Sequence, residues 1–136
     1  MYFCIMKQAI IDKRTLETIL SDQRSEIESR KEETLCYRQE EQLVDLSSPQ
    51  AQVVIGVRRC GKSTLCFQTL FHAGVKFAYV DFDDERLAGL QTSQLNDILE
   101  VLYKIYGDFK YLFLDEIQNI EGWPLFVNRL LRTKIH

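Results

Sequence analysis

Residues 56–63 have the types and spacing that would hold phosphate groups. They read GVRRCGKS and fit the pattern G-x-x-x-x-G-K-[ST]. Gly56 and Gly61 permit backbone angles closed to other residues, so successive N–H groups can turn toward an anion. Lys62 would place a positive charge on the β- and γ-phosphates, and the Ser63 hydroxyl would bind Mg²⁺. The pattern predicts a nucleotide-binding phosphate loop over residues 56–64, whose other members are Val57, Arg58, Arg59, Cys60 and Thr64.

A pair of carboxylates follows further along the chain. The apolar run at residues 111–114 ends in Asp115 and Glu116. Acids at the carboxyl end of a buried strand stand where α/β sheets bind ligands. Asp115 would hold Mg²⁺, directly or through water, and Glu116 would orient and deprotonate an attacking water. Two acids that only cap the following turn are the alternative.

The two patterns together predict Mg²⁺-dependent ATP hydrolysis, with Lys62 and Glu116 as catalytic residues and with Ser63 and Asp115 as metal ligands. No Asn-Lys-x-Asp string occurs, which favours ATP over GTP. Cys60 would lie near a helix N-terminus and Lys62, an environment that lowers a thiol pKa. A redox switch and a small residue tolerated at a variable loop position are both open interpretations of Cys60.

Hydrophobic periodicity predicts the elements that must position these residues. Helices are predicted at residues 12–31, 63–73, 93–106 and 125–132, with a further short helix between a break at 34–37 and a turn at 47–49. Strands are predicted at residues 52–55, 76–82 and 111–114. Gly74 and Gly107 would end two helices, and Pro124 would begin the last one. The alternation of strands and helices predicts an α/β fold with a parallel sheet.

Two of these elements carry specific burial predictions. The strand at residues 111–114 is continuously apolar, which predicts burial on both faces. The helix at residues 63–73 is predicted to bury a single apolar stripe, consisting of Leu65, Cys66, Thr69, Leu70 and Ala73.

Composition places the chain among ordinary globular domains. Of its 136 residues, 46% are hydrophobic and 27% charged, which argues against a disordered or fibrous chain. No apolar stretch approaches the roughly 20 residues that a transmembrane helix needs, and the start lacks the basic residues of a signal peptide. Four cysteines without a CxxC pair, beside two histidines, argue against a zinc site and for reduced thiols. We expect a cytoplasmic protein without a membrane partner.

The charge is unevenly distributed. Residues 1–50 contain seven basic and ten acidic residues, a net of −3, whereas residues 51–136 contain ten of each. Neither part shows the basic patch of a nucleic-acid binder, so the charge indicates no nucleic-acid partner. We divide the chain into a helical leader, residues 1–50, and a partial phosphate-loop domain, residues 51–136. The charged faces of the leader are expected to be solvated surface, with an interaction arm as the alternative.

Three strings resemble a known family. They are GVRRCGKST at residues 56–64, FDDERLAGL at residues 82–90 and YLFLDEIQNIEGW at residues 111–123. They are similar to the AAA-like ATPases of bacteria and archaea that carry an additional, nuclease-like C-terminal domain of unknown function. The resemblance, over about residues 52–133, implies a P-loop NTPase core that uses ATP and Mg²⁺. Nucleic-acid handling is implied by the family alone.

The resemblance also implies roles for further residues. Residues 81–85 would line the edge of the site, and Gln118 and Trp123 would shape the turn after the two acids. Core packing is the favoured alternative for Trp123. In the resembled ATPases another strand follows the last helix, and this sequence ends at His136, before that strand. Its loss would leave unpaired backbone groups in the sheet, so we expect a truncated member with an incomplete core and a missing C-terminal domain.

Three hypotheses remain open on the sequence. The favoured one is the N-terminal part of an AAA-like ATPase. This part is expected to bind Mg–ATP, whereas ATP hydrolysis by this chain on its own is left open. The second is a non-catalytic remnant that acts as a protein-interaction module. The third is a complete small nucleotide-binding protein that closes its sheet differently or as a homo-oligomer.

Overall fold

A computed structural model describes residues 10–31, 46–47 and 62–133. Within these ranges the chain forms α-helices and a two-stranded parallel sheet. The elements are α1 (Lys13–Arg30), α2 (Lys62–Ala73), β1 (Phe77–Asp81), α3 (Leu95–Tyr106), β2 (Tyr111–Asp115) and α4 (Trp123–Arg132). Short 3₁₀ turns occupy Glu85–Leu87, Thr92–Gln94 and Ile117–Asn119. The structure is α/β, as predicted.

The sheet joins β1 and β2 in parallel through the connecting helix α3. Phe77 pairs with Tyr111 at one end, and Asp81 pairs with Asp115 at the other. This register brings the carboxyl ends of both strands to one edge, where ligands bind in α/β sheets. The predicted strand at residues 52–55 lies outside the described residues, so a complete P-loop core stays a prediction.

Helix α1 forms where the sequence predicted it. The Asp12 carboxylate accepts a hydrogen bond from the Thr15 N–H at 2.7 Å, which caps the helix start. The apolar side chains of Leu16, Ile19 and Leu20 recur at helical spacing, and each is at most 2% exposed. Helix α1 therefore shares the main core with the sheet.

Polar contacts align α1 with α3. The Lys104 ammonium contacts the Glu17 carboxylate at 2.8 Å, and Lys13 contacts Glu100 at 2.7 Å. Both pairs are exposed, and exposed ion pairs of this kind contribute little to stability. The Arg24 guanidinium donates to the Ile105 carbonyl at 2.6 Å, which satisfies a backbone acceptor in the last turn of α3. The division of the chain at residue 50 stays a prediction.

The two faces of the sheet pack against different helices. On one face Ala78 and Val80 join a cluster with buried side chains of α1, α3 and α4. On the other face Tyr79 packs with Phe67 of α2 and Ile27 of α1. Alternate residues of a strand point to opposite faces, so the sequence of β1 supplies both layers of the core.

The predicted burial of two elements is wrong. All five residues of β2 are only half-buried, because within the described residues β2 pairs with a strand along one edge alone. In α2 the buried residues are four in succession, Phe67, Gln68, Thr69 and Leu70, while Leu65 and Cys66 are half-buried and Ala73 is exposed. Successive helix residues lie about 100° apart, so one turn of α2 is enclosed nearly all round instead of along one stripe.

The remaining element ends agree with the sequence. Gly74 and Gly107 follow α2 and α3 with φ of 66° and 72°, which favours glycine there, and Pro124 lies in the first turn of α4. Leu46 and Ser47 form part of a turn, whereas the predicted break at 34–37, the helix after it and residues 48–50 lie outside the described residues. In the part of the chain that the structure describes, no helix has the length and apolarity needed to cross a membrane.

Candidate functional site

A hydrogen bond joins the two predicted metal ligands. The Ser63 hydroxyl donates to Oδ2 of the Asp115 carboxylate at 2.8 Å, although the residues are 52 positions apart in sequence. Ser63 lies in the first turn of α2, and Asp115 is the last residue of β2. The fold thus brings the end of the phosphate-loop string and the acidic string into direct contact.

Aromatic packing holds α2 at this end of the sheet. The Phe67 ring lies 4.8 Å from the Tyr79 ring and 5.0 Å from the Phe113 ring, measured between centroids. Such pairs contribute about 0.5–1.5 kcal/mol beyond their buried area. Because Phe67 is one helical turn from Ser63, this packing places the Ser63 hydroxyl over the ends of the strands.

Tyr79 adds a second donor to the same carboxylate. Its phenol donates to Oδ2 of Asp115 at 3.2 Å. Burial, followed by the nearby charge of Asp115, raises the pKa of Tyr79, so the phenol stays a donor at neutral pH. Tyr79 belongs to neither of the two predicted motifs. Its signal was its position two before Asp81, which puts both side chains on one face of β1.

The strand ends form an acidic environment. Asp81 is the register partner of Asp115. Burial raises the pKa of Asp81, and the charges of Asp115, Asp83 and Asp84 act in the same direction, against a hydrogen bond from the Asp83 N–H that lowers it. A cation bound here would relieve this repulsion.

The residues present fit a magnesium ion. Ser63 and Asp115 offer a hydroxyl and a carboxylate, which are the hard oxygen ligands that Mg²⁺ prefers. Among the described residues, no group of three or more His, Cys, Asp or Glu side chains could hold a metal. Mg²⁺ bound with a nucleotide needs only one or two protein ligands, because phosphates and water complete its shell.

Glu116 has an uncommon backbone conformation. Its φ is 56° and its ψ is 36°, and it is the one non-glycine residue with positive φ among those described. The left-handed region costs an ordinary residue about 1–2 kcal/mol, and such strain is concentrated at functional sites. The Gln118 amide donates a hydrogen bond to the Glu116 carboxylate, so the turn after β2 fixes the predicted catalytic base.

A cavity of about 400 Å³ lies over the Ser63–Asp115 pair. The strand ends and the loop after β1 line it with acids, namely Asp81, Asp83, Asp84 and Glu85. This agrees with the edge position that the resemblance implies for residues 81–85. Helix α1 forms another wall through Gln23, Glu26, Ile27 and Arg30, a contribution that no motif in the sequence predicts.

Gln23 binds α1 to the rim of this cavity. Its amide nitrogen donates to the Asp81 carbonyl and to the Asp84 carboxylate, both at 3.1 Å, and its oxygen accepts from the Asp81 N–H at 3.0 Å. The side chain is only 4% exposed. A buried glutamine with these partners acts as an edge strand would, because it satisfies both backbone groups of Asp81.

Asp84 is stabilised as a carboxylate. Hydrogen bonds from Arg86 lower the pKa of Asp84 to about 2, although burial opposes them, and the Gln23 amide contributes in the same direction. Arg86 also contacts Asp22 of α1 at 2.7 Å. This network fixes the loop after β1 against α1.

Replacing Asp84 by asparagine should therefore make the free energy of unfolding less dependent on pH in the acidic range. The pKa of Asp84 is lower in the folded than in the unfolded state. The contribution of this carboxylate to the free energy of unfolding is therefore complete above pH 4 and disappears as the pH falls toward 2. We expect Asp84→Asn to lower the free energy of unfolding by about 1–2 kcal/mol at pH 7, with the difference narrowing below pH 4. Urea unfolding between pH 7 and pH 3 measures this, with the exposed Asp108→Asn as control. An equal deficit at every pH would contradict the assignment.

Several predicted site residues are not placed by the structure. Residues 56–61, with Cys60 among them, lie outside the described residues, and only the backbone of Lys62 is described, as the first residue of α2.

Thr64 is half-buried in α2. Trp123 begins α4 half-buried, and among the described residues it belongs to neither hydrophobic cluster, so the favoured core packing for it is not found there.

Comparison with known proteins identifies the family. A model of the AAA domain matches residues 48–136. An uncharacterized protein of Methanocaldococcus jannaschii is 36% identical over 124 residues, which are 90% of this chain and 27% of that protein. The chain thus spans about a quarter of the length of this relative. No solved structure gives a significant match. The chain belongs to the family of AAA domains, which points to a nucleotide-binding, ATPase-like function of the kind that generally uses ATP and Mg²⁺.

Proposed function

We propose that this chain binds Mg–ATP between the phosphate loop of residues 56–64 and the end of β2, and that the residues of this site carry the hydrolysis of ATP to ADP and phosphate within a complete AAA domain. The observation that carries the proposal is the 2.8 Å hydrogen bond from the Ser63 hydroxyl to the Asp115 carboxylate. Residues this distant in sequence, each at the end of its own phosphate- or metal-binding string, meet at one point.

The direction of this hydrogen bond suits metal binding. When the Ser63 hydroxyl donates its proton to Asp115, the lone pairs of its oxygen remain free for a cation. Asp115 thereby orients the hydroxyl and holds a negative charge beside it. Bound Mg²⁺ would supply charge neutralisation for the β- and γ-phosphates.

Lys62 and Glu116 complete the proposed chemistry. Lys62 binds the β- and γ-phosphates from the first residue of α2, whose positive end faces the same anions. Glu116 accepts a proton from the attacking water, the water oxygen bonds to the γ-phosphorus, and the bond from this phosphorus to the β–γ bridging oxygen breaks so that ADP leaves. Gln118 holds the Glu116 carboxylate in place.

Asp115→Asn tests the proposal through its metal dependence. The amide keeps the size of the side chain and removes the charge, so we expect ATP affinity in saturating Mg²⁺ to fall about 10- to 100-fold. Binding of ATP in EDTA should change little, since the phosphate loop is intact. Isothermal titration with and without Mg²⁺ measures both values.

Asp108→Asn is the matched control, because Asp108 is exposed and lies before β2. It should bind Mg–ATP like the unmodified chain. Equal affinities of Asp115→Asn and the unmodified chain at every Mg²⁺ concentration would refute the metal role of Asp115.

A further inference from the structure

We propose that Tyr79 is a positioning residue for Asp115. The Tyr79 phenol holds one oxygen of the Asp115 carboxylate, so that the other oxygen stays available to the metal. This inference rests on the proposed function. It gives β1 a role in metal binding through Tyr79, a residue that lies outside both motif strings.

Two hydrogen bonds meet on one oxygen of the Asp115 carboxylate. Ser63 and Tyr79 both donate to Oδ2, at 2.8 Å and 3.2 Å. The donors come from two different elements, α2 and β1. A carboxylate that receives two donors on one oxygen is fixed in rotation about its side-chain bonds, and its Oδ1 carries neither of these bonds.

Aromatic packing holds the Tyr79 ring in place. The side chain is 7% exposed, and its ring lies 4.8 Å from the Phe67 ring and 5.2 Å from the Phe113 ring. A ring held in this way cannot follow a rotating carboxylate. The hydroxyl position is therefore set by the core, and the carboxylate must adapt to it.

The composition of the aromatic cluster separates a positioning role from packing alone. The other described rings of this hydrophobic cluster, those of Phe67, Phe71, Phe77 and Phe113, are all phenylalanine, and Phe67 and Phe113 contact the Tyr79 ring directly. Phenylalanine would pack as well at position 79 without the cost of burying a hydroxyl. The single hydroxyl of the cluster lies where Asp115 can accept its proton.

Tyr79→Phe removes only this hydrogen bond. We expect the Mg²⁺ concentration for half-maximal ATP binding to rise about three- to tenfold, as for the loss of one hydrogen bond of ordinary strength. ATP binding in EDTA should not change, and the thermal midpoint should move little. A purely structural role would shift the midpoint and leave the Mg²⁺ dependence unaltered. Tyr103→Phe, on the exposed side of α3, is the matched control.

The outcomes separate this inference from the proposed function. If the unmodified chain binds Mg–ATP and Tyr79→Phe keeps the same Mg²⁺ dependence, the positioning role is wrong and the proposed function stands. If the unmodified chain shows no Mg²⁺-dependent ATP binding, both are wrong.

A second measurement decides the matter if Tyr79→Phe does not fold. With 3-fluorotyrosine at position 79 the hydroxyl is retained, and its ¹⁹F resonance should shift when Mg²⁺ is added to the ATP complex. An unchanged resonance, in a sample whose ATP affinity responds to Mg²⁺, overturns the inference.

Discussion

Replacing Lys62 by alanine should abolish Mg–ATP binding while leaving the fold intact. The ammonium is the one full positive charge that the phosphate-loop pattern aims at the β- and γ-phosphates. Truncating one member of a desolvated charge pair costs about 2–5 kcal/mol. We therefore expect the affinity for Mg–ATP to fall by about 30-fold or more in isothermal titration.

Lys110→Ala is the matched control, because Lys110 is exposed and precedes β2. It should bind Mg–ATP normally and should melt, as Lys62→Ala should, near the temperature of the unmodified chain. If Lys62→Ala retains the full affinity, the loop of residues 56–64 does not hold the phosphates.

Replacing Leu20 by alanine should strongly destabilise the whole fold, although Leu20 lies outside the matched AAA region. Its side chain is fully buried against the sheet and α3. Deleting a buried leucine costs about 2–5 kcal/mol, against a total stability of about 5–15 kcal/mol. We expect a large fall in the denaturation midpoint as a single cooperative transition.

Leu125→Ala serves as the matched control, since Leu125 is 76% exposed. Its effect should stay within about 0.5 kcal/mol. A normal midpoint for Leu20→Ala, or a melt in two steps, would mean that the leader folds apart from the sheet.

The sequence predicted best where one local rule acted alone. Helix α3 has an uninterrupted 3.6-residue apolar period and a glycine at its end, and the structure confirms it within two residues. Helix α1 is confirmed in the same way, through its Asp12 cap and its apolar spacing. These signals lie within the segment itself, so no distant partner is needed to interpret them.

Burial was predicted poorly because it depends on what covers a segment. The apolarity of β2 predicts burial on both faces, yet its residues are half-buried beside a single described neighbour strand. In α2 the sequence indicates one stripe, whereas the aromatic contacts of Phe67 and the burial of Gln68 enclose a full turn. Periodicity describes one side of an element and not the number of elements around it.

The sequence predicted that Ser63 and Asp115 meet, but it did not predict the contacts that support them. The motif spacing named Ser63 and Asp115, and the structure brings them to 2.8 Å. Tyr79 was not singled out, because its position on the Asp81 face of β1 does not by itself show that its hydroxyl reaches Asp115 on the neighbouring strand. Gln23 was not singled out either, because glutamine is mostly exposed in folded proteins and no local signal shows that its amide binds the Asp81 backbone.

A double-mutant cycle on Ser63 and Asp115 tests the central claim most directly, that these two side chains hold one metal with ATP. Ser63→Ala, Asp115→Asn and the double variant are compared with the unmodified chain by the Mg²⁺ dependence of ATP affinity. If the residues act on one ion, the loss in the double variant should be smaller than the sum of the single losses by about 1 kcal/mol or more. Additive losses, or an unmodified chain whose ATP affinity ignores Mg²⁺, would contradict it.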